Sequence, residues 1–254
     1  MKHIPLTFAI VMLTATSAAA QDIPLSKILV AKEDWHPLFH EVRAVTYLEG
    51  MPNGDVAVNQ DGEGRLLTKE GKFIGGPLIY HRITAKTALA SSRLHYRIKE
   101  NDSSIACFKE GKQVHTLKLS GLKSPACLYL WPDEGHLVVG ESDGAYLWAV
   151  RIEKDGSFGP GDRYYSLRTK PNEKLPVAAM TMDAGFLLYA CTPIGIQVFD
   201  PTGRLSGVLP APSKDPMTAI TIGGAKADEL FVAAGAKIFA RRIQGKAPYT
   251  LKKN

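Results

Sequence analysis

A glycine-terminated turn returns along this chain at a near-constant interval, and that interval restricts the fold more than any other feature. Lys69-Glu70-Gly71-Lys72 recurs as Lys109-Glu110-Gly111-Lys112, as Lys154-Asp155-Gly156-Ser157 and as Pro201-Thr202-Gly203-Arg204. The turn glycines are spaced by roughly 40 to 47 residues, the interval of four short strands per blade of a β-propeller. Each group is a polar pair ending in Gly between β-rich runs, the chemistry of a hairpin turn that needs a positive φ. A second set of turns falls between these. Pro52-Asn53-Gly54 precedes Val56-Ala57-Val58, Asp133-Glu134-Gly135 precedes Leu137-Val138-Val139, and Asp183-Ala184-Gly185 precedes Phe186-Leu187-Leu188-Tyr189. Two turns per repeat require at least three strands per repeat. The predicted units lie near residues 42–76, 83–119, 124–168, 175–212 and 216–243, and no amphipathic helix longer than about two turns is read between them. Residues 23–30 are left over. They are expected to close the ring by joining the last unit, because an unpaired edge would expose its hydrogen-bonding groups. A β-sandwich is the other all-β reading, and the regular period argues against it.

The first twenty residues are set apart. Lys2 and His3 form a short basic start, an apolar run follows to Leu13, and Ala18-Ala19-Ala20 supplies a small-residue cleavage site before Gln21. The expected organisation is a signal peptide over residues 1–20 and one propeller domain over 21–254, which places the protein in the periplasm or outside the cell. No Cys follows the small residues to take a lipid, and no later stretch is apolar enough to span a membrane. The formal charge of +6 comes from Lys and Arg scattered among Asp and Glu, the pattern of a solvated surface. The basic concentrations, Arg241-Arg242 and the Lys246, Lys252 and Lys253 tail, have no interleaved aromatics, so no nucleic-acid partner is expected.

Cys107, Cys127 and Cys191 lie in apolar, strand-like segments without Cys-x-x-Cys spacing. They read as buried hydrophobes, with one disulfide left open as an alternative in an oxidising compartment. His36 and His40 have i, i+4 spacing, but Pro37 between them places them in a loop rather than on a metal-binding helix. Alternation along a strand puts His95 and Arg97 on one face, where they would bind an anion if that face were the channel and would otherwise be solvated. Trp35, Trp131 and Trp148 could stack on sugar rings or pack between blades, and packing is the ordinary use. No nucleophile elbow, P-loop or dinucleotide fingerprint is present.

Several segments resemble a known family. Ile23-Pro24-Leu25 with Asp34-Trp35, Asp162-Arg163-Tyr164-Tyr165, the run Thr192-Pro193-Ile194-Gly195-Ile196-Gln197-Val198-Phe199-Asp200-Pro201-Thr202-Gly203-Arg204, and Ile222-Gly223-Gly224 are similar to landmarks of the senescence marker protein and gluconolactonase family, in its exported bacterial branch. The resemblance implies six four-stranded blades where the sequence shows five repeats. It also implies hydrolysis of sugar lactones around one divalent cation, often calcium or zinc, at the top of the central channel. Such a cation polarises the lactone carbonyl and acidifies a water, so the site must converge oxygen ligands from different blades.

Carried over by this resemblance, the family's Asp-Gly-Met falls on Ala178-Ala179-Met180 and its Pro-Asn-Gly on Pro125-Ala126-Cys127. The metal-binding Asp and Asn are thus replaced by Ala178 and Ala126. The Glu position falls on Thr46, and a small slip of register would bring in Glu41 or Glu49 instead. A methyl group offers no lone pair to a hard cation. The expectation is therefore a protein with no cofactor that binds a small molecule or a periplasmic protein, the alternative being a lactone hydrolase with a displaced calcium or zinc site. The stretch between residues 76 and 124 holds one repeat where the family would have two.

Overall fold

Glycine turns organise the molecule as their spacing implies. A computed structural model describes residues 23–40, 42, 44–75, 84–99, 101–169 and 175–249, and its strands form five four-stranded antiparallel sheets. Blade 1 consists of β2 (Val45–Gly50), β3 (Val56–Gln60), β4 (Glu63–Leu67) and β5 (Phe73–Gly75). Blade 2 consists of β6 (Thr87–Leu89), β7 (Leu94–Lys99), β8 (Ser104–Lys109) and β9 (Lys112–Leu117). Blade 3 is built from β10 (Pro125–Leu130), β11 (His136–Glu141), β12 (Tyr146–Ile152) and β13 (Phe158–Ser166), and blade 4 from β14 (Met180–Met182), β15 (Leu188–Thr192), β16 (Gly195–Phe199) and β17 (Leu205–Leu209). Blade 5 combines β18 (Met217–Gly223), β19 (Glu229–Ala234) and β20 (Lys237–Arg242) with the N-terminal β1 (His36–His40), in the order β1-β20-β19-β18.

All four repeating glycines lie in the turn from the third to the outermost strand of a blade, with φ of 79° at Gly71 and Gly111 and 85° at Gly156 and Gly203. The second set of turns joins the innermost strand to the next. There an Asx side chain accepts the backbone N–H two residues on: Asp55 N to Asn53 Oδ1 at 3.1 Å, Gly135 N to Asp133 Oδ1 at 3.0 Å, and Gly185 N to Asp183 Oδ1 at 2.8 Å. These local bonds satisfy the backbone at each reversal, so the hairpin is specified before any blade meets its neighbour.

The all-β propeller of four-stranded blades and the five repeats agree with the structure. The sixth blade implied by the family resemblance does not appear among the described residues. The reason is chain length: β5 ends at Gly75 and β10 begins at Pro125, and a blade needs about 40 residues, so only the sheet β6–β9 fits between them. The expected closing strand is also corrected. Residues 23–30 form a 3-10 turn (Leu25–Lys27) and a single bridge, Leu29 to Ile243, while β1 pairs with β20 and closes the blade. The physical reason is packing: Ile28 is fully buried in the cluster shared by blades 4 and 5, and Leu25 lies against Gly207 of β17. That segment seals a seam instead of extending a sheet. Pro37 is tolerated in β1 because this is an edge strand, where a missing N–H is not needed. His36 therefore sits exposed on a strand, and His36 and His40 share no helical face.

Four apolar clusters fill four seams. They join blades 2 and 3 around Tyr96 and Leu137, 3 and 4 around Tyr165 and Leu188, 4 and 5 around Tyr189 and Leu230, and 5 and 1 around Val58 and Phe231. Among the described residues no fifth cluster fills the seam between blades 1 and 2. Also among the described residues, no helix is long and apolar enough to cross a membrane. The signal peptide expected over residues 1–20 lies outside the described residues.

Candidate functional site

In a propeller the innermost strands enclose a channel, and here β2, β6, β10, β14 and β18 surround a cavity of ≈ 190 Å³. The chain after β20 reaches the wall of this cavity. Lys246 O accepts the Ala184 N–H at 2.8 Å, Ala247 N donates to Ala227 O at 2.7 Å, and Lys246 Nζ pairs with Asp228 Oδ2 at 2.9 Å. These contacts carry Pro248 and Tyr249 to the channel wall. Gly50 and Gly223 make room for the phenol: a Cβ on Gly50 would lie 2.8 Å from Tyr249 Oη.

The three positions that the family resemblance aligns with metal ligands, Thr46, Ala126 and Ala178, lie at or just before the start of an innermost strand. Thr46 lies in the register shift between Val45 and Tyr47, and Ala126 in the shift between Pro125 and Cys127. Thr218 of blade 5 occupies a shift of the same kind, between Met217 and Ala219. Ala178 precedes β14 and donates its N–H to Cys191 O at 3.1 Å. Bulges at strand ends re-aim side chains and recur beside active sites. Of the three, Thr46 lines the cavity, while Ala126 and Ala178 are half-buried off its wall. The donor chemistry does not fit a hard cation, because two of the three side chains end in methyl groups. Glu41 lies outside the described residues.

Glu49 is three residues beyond Thr46 on β2, about 10 Å along the strand, and lines the channel. Burial pushes its pKa up, and a hydrogen bond with Tyr47 offsets part of that rise. Tyr129 from β10, beside Thr181 and the Met182 backbone, and Tyr249 from the C-terminal segment both feel the Glu49 charge. Burial first, and that charge second, push the Tyr249 phenol up to about 12. Its Oη is buried without a hydrogen-bond partner. Asp183, also buried, is committed to its turn: it accepts from Gly185 N, Leu187 N and Tyr189 Oη. Among the described residues, no three His, Cys, Asp or Glu side chains cluster as a metal site.

His95 and Arg97 share one face of β7, as alternation predicts, but they are exposed and do not line the channel. Leu94, Tyr96 and Ile98 take the opposite face into the seam with blade 3, and Arg97 lies 4.8 Å from the centre of the Phe108 ring. The three tryptophans form no common platform. Trp148 donates to Glu141 Oε2 at 3.0 Å, Trp35 to Pro210 O at 3.0 Å, and Trp131 packs on His136 and Phe186. All three cysteines are free and buried. Tyr47, Tyr129 and Tyr249 were not singled out from the sequence. Alternation on the inner strands carries a signal for Tyr47 and Tyr129, whereas nothing local places Tyr249, because its position depends on the fold-back of the tail.

A family model described as "SMP-30/Gluconolactonase/LRE-like region" matches residues 31–236. Solved structures of the same fold include a gluconolactonase from Xanthomonas campestris, 13% identical, covering 86% of this chain and 92% of that one with a TM-score of 0.58. Luciferin-regenerating enzyme is 13% identical over 83% of this chain and 81% of that one, with a TM-score of 0.55. Regucalcin from Agrobacterium tumefaciens, described as a calcium-binding protein, is 13% identical over 81% of this chain and 79% of that one, with a TM-score of 0.53. At such identities the likeness is one of fold. No curated protein matches the chain by sequence.

Proposed function

The chain belongs to the SMP-30/gluconolactonase/LRE-like family, and from that premise we propose that it is an exported propeller that binds a small molecule in its channel, or a periplasmic protein, without metal-dependent lactone hydrolysis. The observation that supports this reading is chemical: Ala126 and Ala178 stand at strand starts where the family resemblance places an Asn and an Asp. Two methyl groups leave a divalent cation without the oxygen donors that would polarise a carbonyl and acidify a water. A fold of this kind hosts both enzymes and binding proteins, so the site decides. Export is supported by the basic start, apolar run and Ala18-Ala19-Ala20. Mass spectrometry of the periplasmic fraction tests it, with a mature chain beginning at Gln21 as the expected result.

Titration with calcium and with zinc, followed by thermal shift, tests the loss of the metal. The expected result is no saturable stabilisation, since a ligand that binds the folded state raises its melting temperature. A second reading, a lactone hydrolase with a displaced calcium or zinc site, is favoured by Glu49, the carboxylate that remains on the channel wall. Hydrolysis of glucono- or galactono-lactone above background, abolished both by chelation and by Glu49→Gln, would establish that reading and overturn the first.

A further inference from the structure

The channel is electrostatically one-sided. Among the described residues Glu49 is the only carboxylate on its wall, and no Lys, Arg or His side chain lines it. Glu49 is half-buried, and a carboxylate partly withdrawn from water ordinarily brings a cation with it, because an uncompensated charge in a low-dielectric site is costly. Glu49 instead has phenols for neighbours: Tyr47 on its own strand, Tyr129 from β10 and Tyr249 from the tail. Tyr249 Oη is an unused hydrogen-bonding group in the same chamber, and a buried polar atom without a partner asks for an explanation. An anionic ligand would meet the Glu49 charge with nothing to balance it. A neutral polyol would satisfy the hydroxyls and leave the charge unpaired. A cation supplies the missing charge, and aromatic side chains attract it further through their negative ring faces.

We propose that the channel beside Glu49 is a site for a small organic cation, a quaternary ammonium or protonated amine, with Glu49 as counter-charge and Tyr47, Tyr129 and Tyr249 around it. The cavity of ≈ 190 Å³ is smaller than the usual drug-sized pocket, which limits the ligand to a few heavy atoms. The inference rests on the reading of the channel as a small-molecule site and adds the chemistry of the occupant. It also gives a function to a carboxylate that has a phenol beside it and no cation on the channel wall, since the ligand completes an ion pair that the protein leaves half-built.

Calorimetric titration of the full-length mature protein tests this with choline, with dimethylbutanol, its uncharged isostere in which carbon replaces nitrogen, and with gluconate and glucono-lactone. Choline is expected to bind about tenfold or more tightly than dimethylbutanol, and gluconate not to bind. Glu49→Gln is expected to weaken choline by about tenfold while leaving dimethylbutanol unchanged. The comparison of the two isosteres on the unsubstituted protein needs no variant, so it stands even if the substitution disturbs folding. Equal affinity for choline and dimethylbutanol, or binding of the lactone or of gluconate without choline, would overturn the cation and leave the small-molecule site standing. Failure of all four probes to bind would overturn both.

Discussion

At Glu49 a carboxyl sits among phenols, and its protonation is coupled to the stability of the whole domain. Burial raises its pKa above that of an ordinary glutamate. Below the ordinary value the group is protonated in both the folded and unfolded states and no penalty arises. As pH rises from the ordinary value through the raised folded value, the unfolded state releases its proton more readily than the half-buried folded group, and stability is lost. The facing groups do not reverse this sign, because Tyr129 and Tyr249 are themselves pushed up to about 12 and stay neutral near pH 8. Glu49→Gln is therefore expected to melt close to the parent at pH 4 and above it at pH 8, a comparison that parallel thermal melts supply. The cysteines give a second prediction at this scale. Burial pushes the Cys127 thiol up to about 12, and its Sγ donates to Val177 O at 3.2 Å. Since the thiolate is the reactive form, a chromogenic thiol reagent at pH 8 should find no reactive group in the native protein and all three after denaturation. Reaction of only one in denaturant would reveal a disulfide.

Turns and closing strands act at the scale of elements. Gly111 and Gly195 both have positive φ, at 79° and 124°, but their surroundings differ. A Cβ at Gly111 would meet open space, whereas at Gly195 it would press into the Leu209 carbonyl of the neighbouring strand. Gly111→Ala should cost about 1–2 kcal/mol, the conformational cost alone. Gly195→Ala should cost on the order of 3 kcal/mol or more, because the β16–β17 pairing must also give way. Urea denaturation of the two variants measures the difference, and equal losses would mean that the close approach is relieved without cost. The same contrast explains what could be read from the chain. The glycines at 71, 111, 156 and 203 were visible because a positive φ is a local demand that the sequence meets locally. The strand that closes blade 5 was not visible in this way. By composition residues 23–30 read as the closing strand and residues 36–40 as a loop; the reverse holds because Ile28 fills the seam between blades 4 and 5 and leaves the edge of β20 to β1.

Across the molecule as a whole, the described residues of the five blades are joined by four apolar seams, and the N-terminal segment contributes twice, through Ile28 in one seam and β1 on the edge of blade 5. Arg241 Nη2 donating to Glu33 O at 2.8 Å and Arg242 Nη1 donating to Glu33 Oε1 at 3.0 Å add polar ties to the same segment. Ile28→Ala should destabilise by about 2–5 kcal/mol, the range for emptying a fully buried aliphatic site. Removing residues 21–40 should do more than lower the melting temperature. It strips the partner from β20 and leaves an exposed edge, so association that grows with protein concentration is expected in light scattering. A truncated chain that stays monomeric would show that β1 is dispensable for covering that edge.

Periodicity, turn chemistry and alternation are properties of neighbours along the chain, which is why the blades, their boundaries and the shared face of His95 and Arg97 could be read from residues alone. Which face meets the channel, how many blades close the ring, and which groups gather around Glu49 are relations between residues far apart in sequence. Tyr249 comes within reach of Glu49 only because the segment after β20 returns to the channel wall, and burial, which shifts the pKa of both groups upward, exists only once the blades have packed.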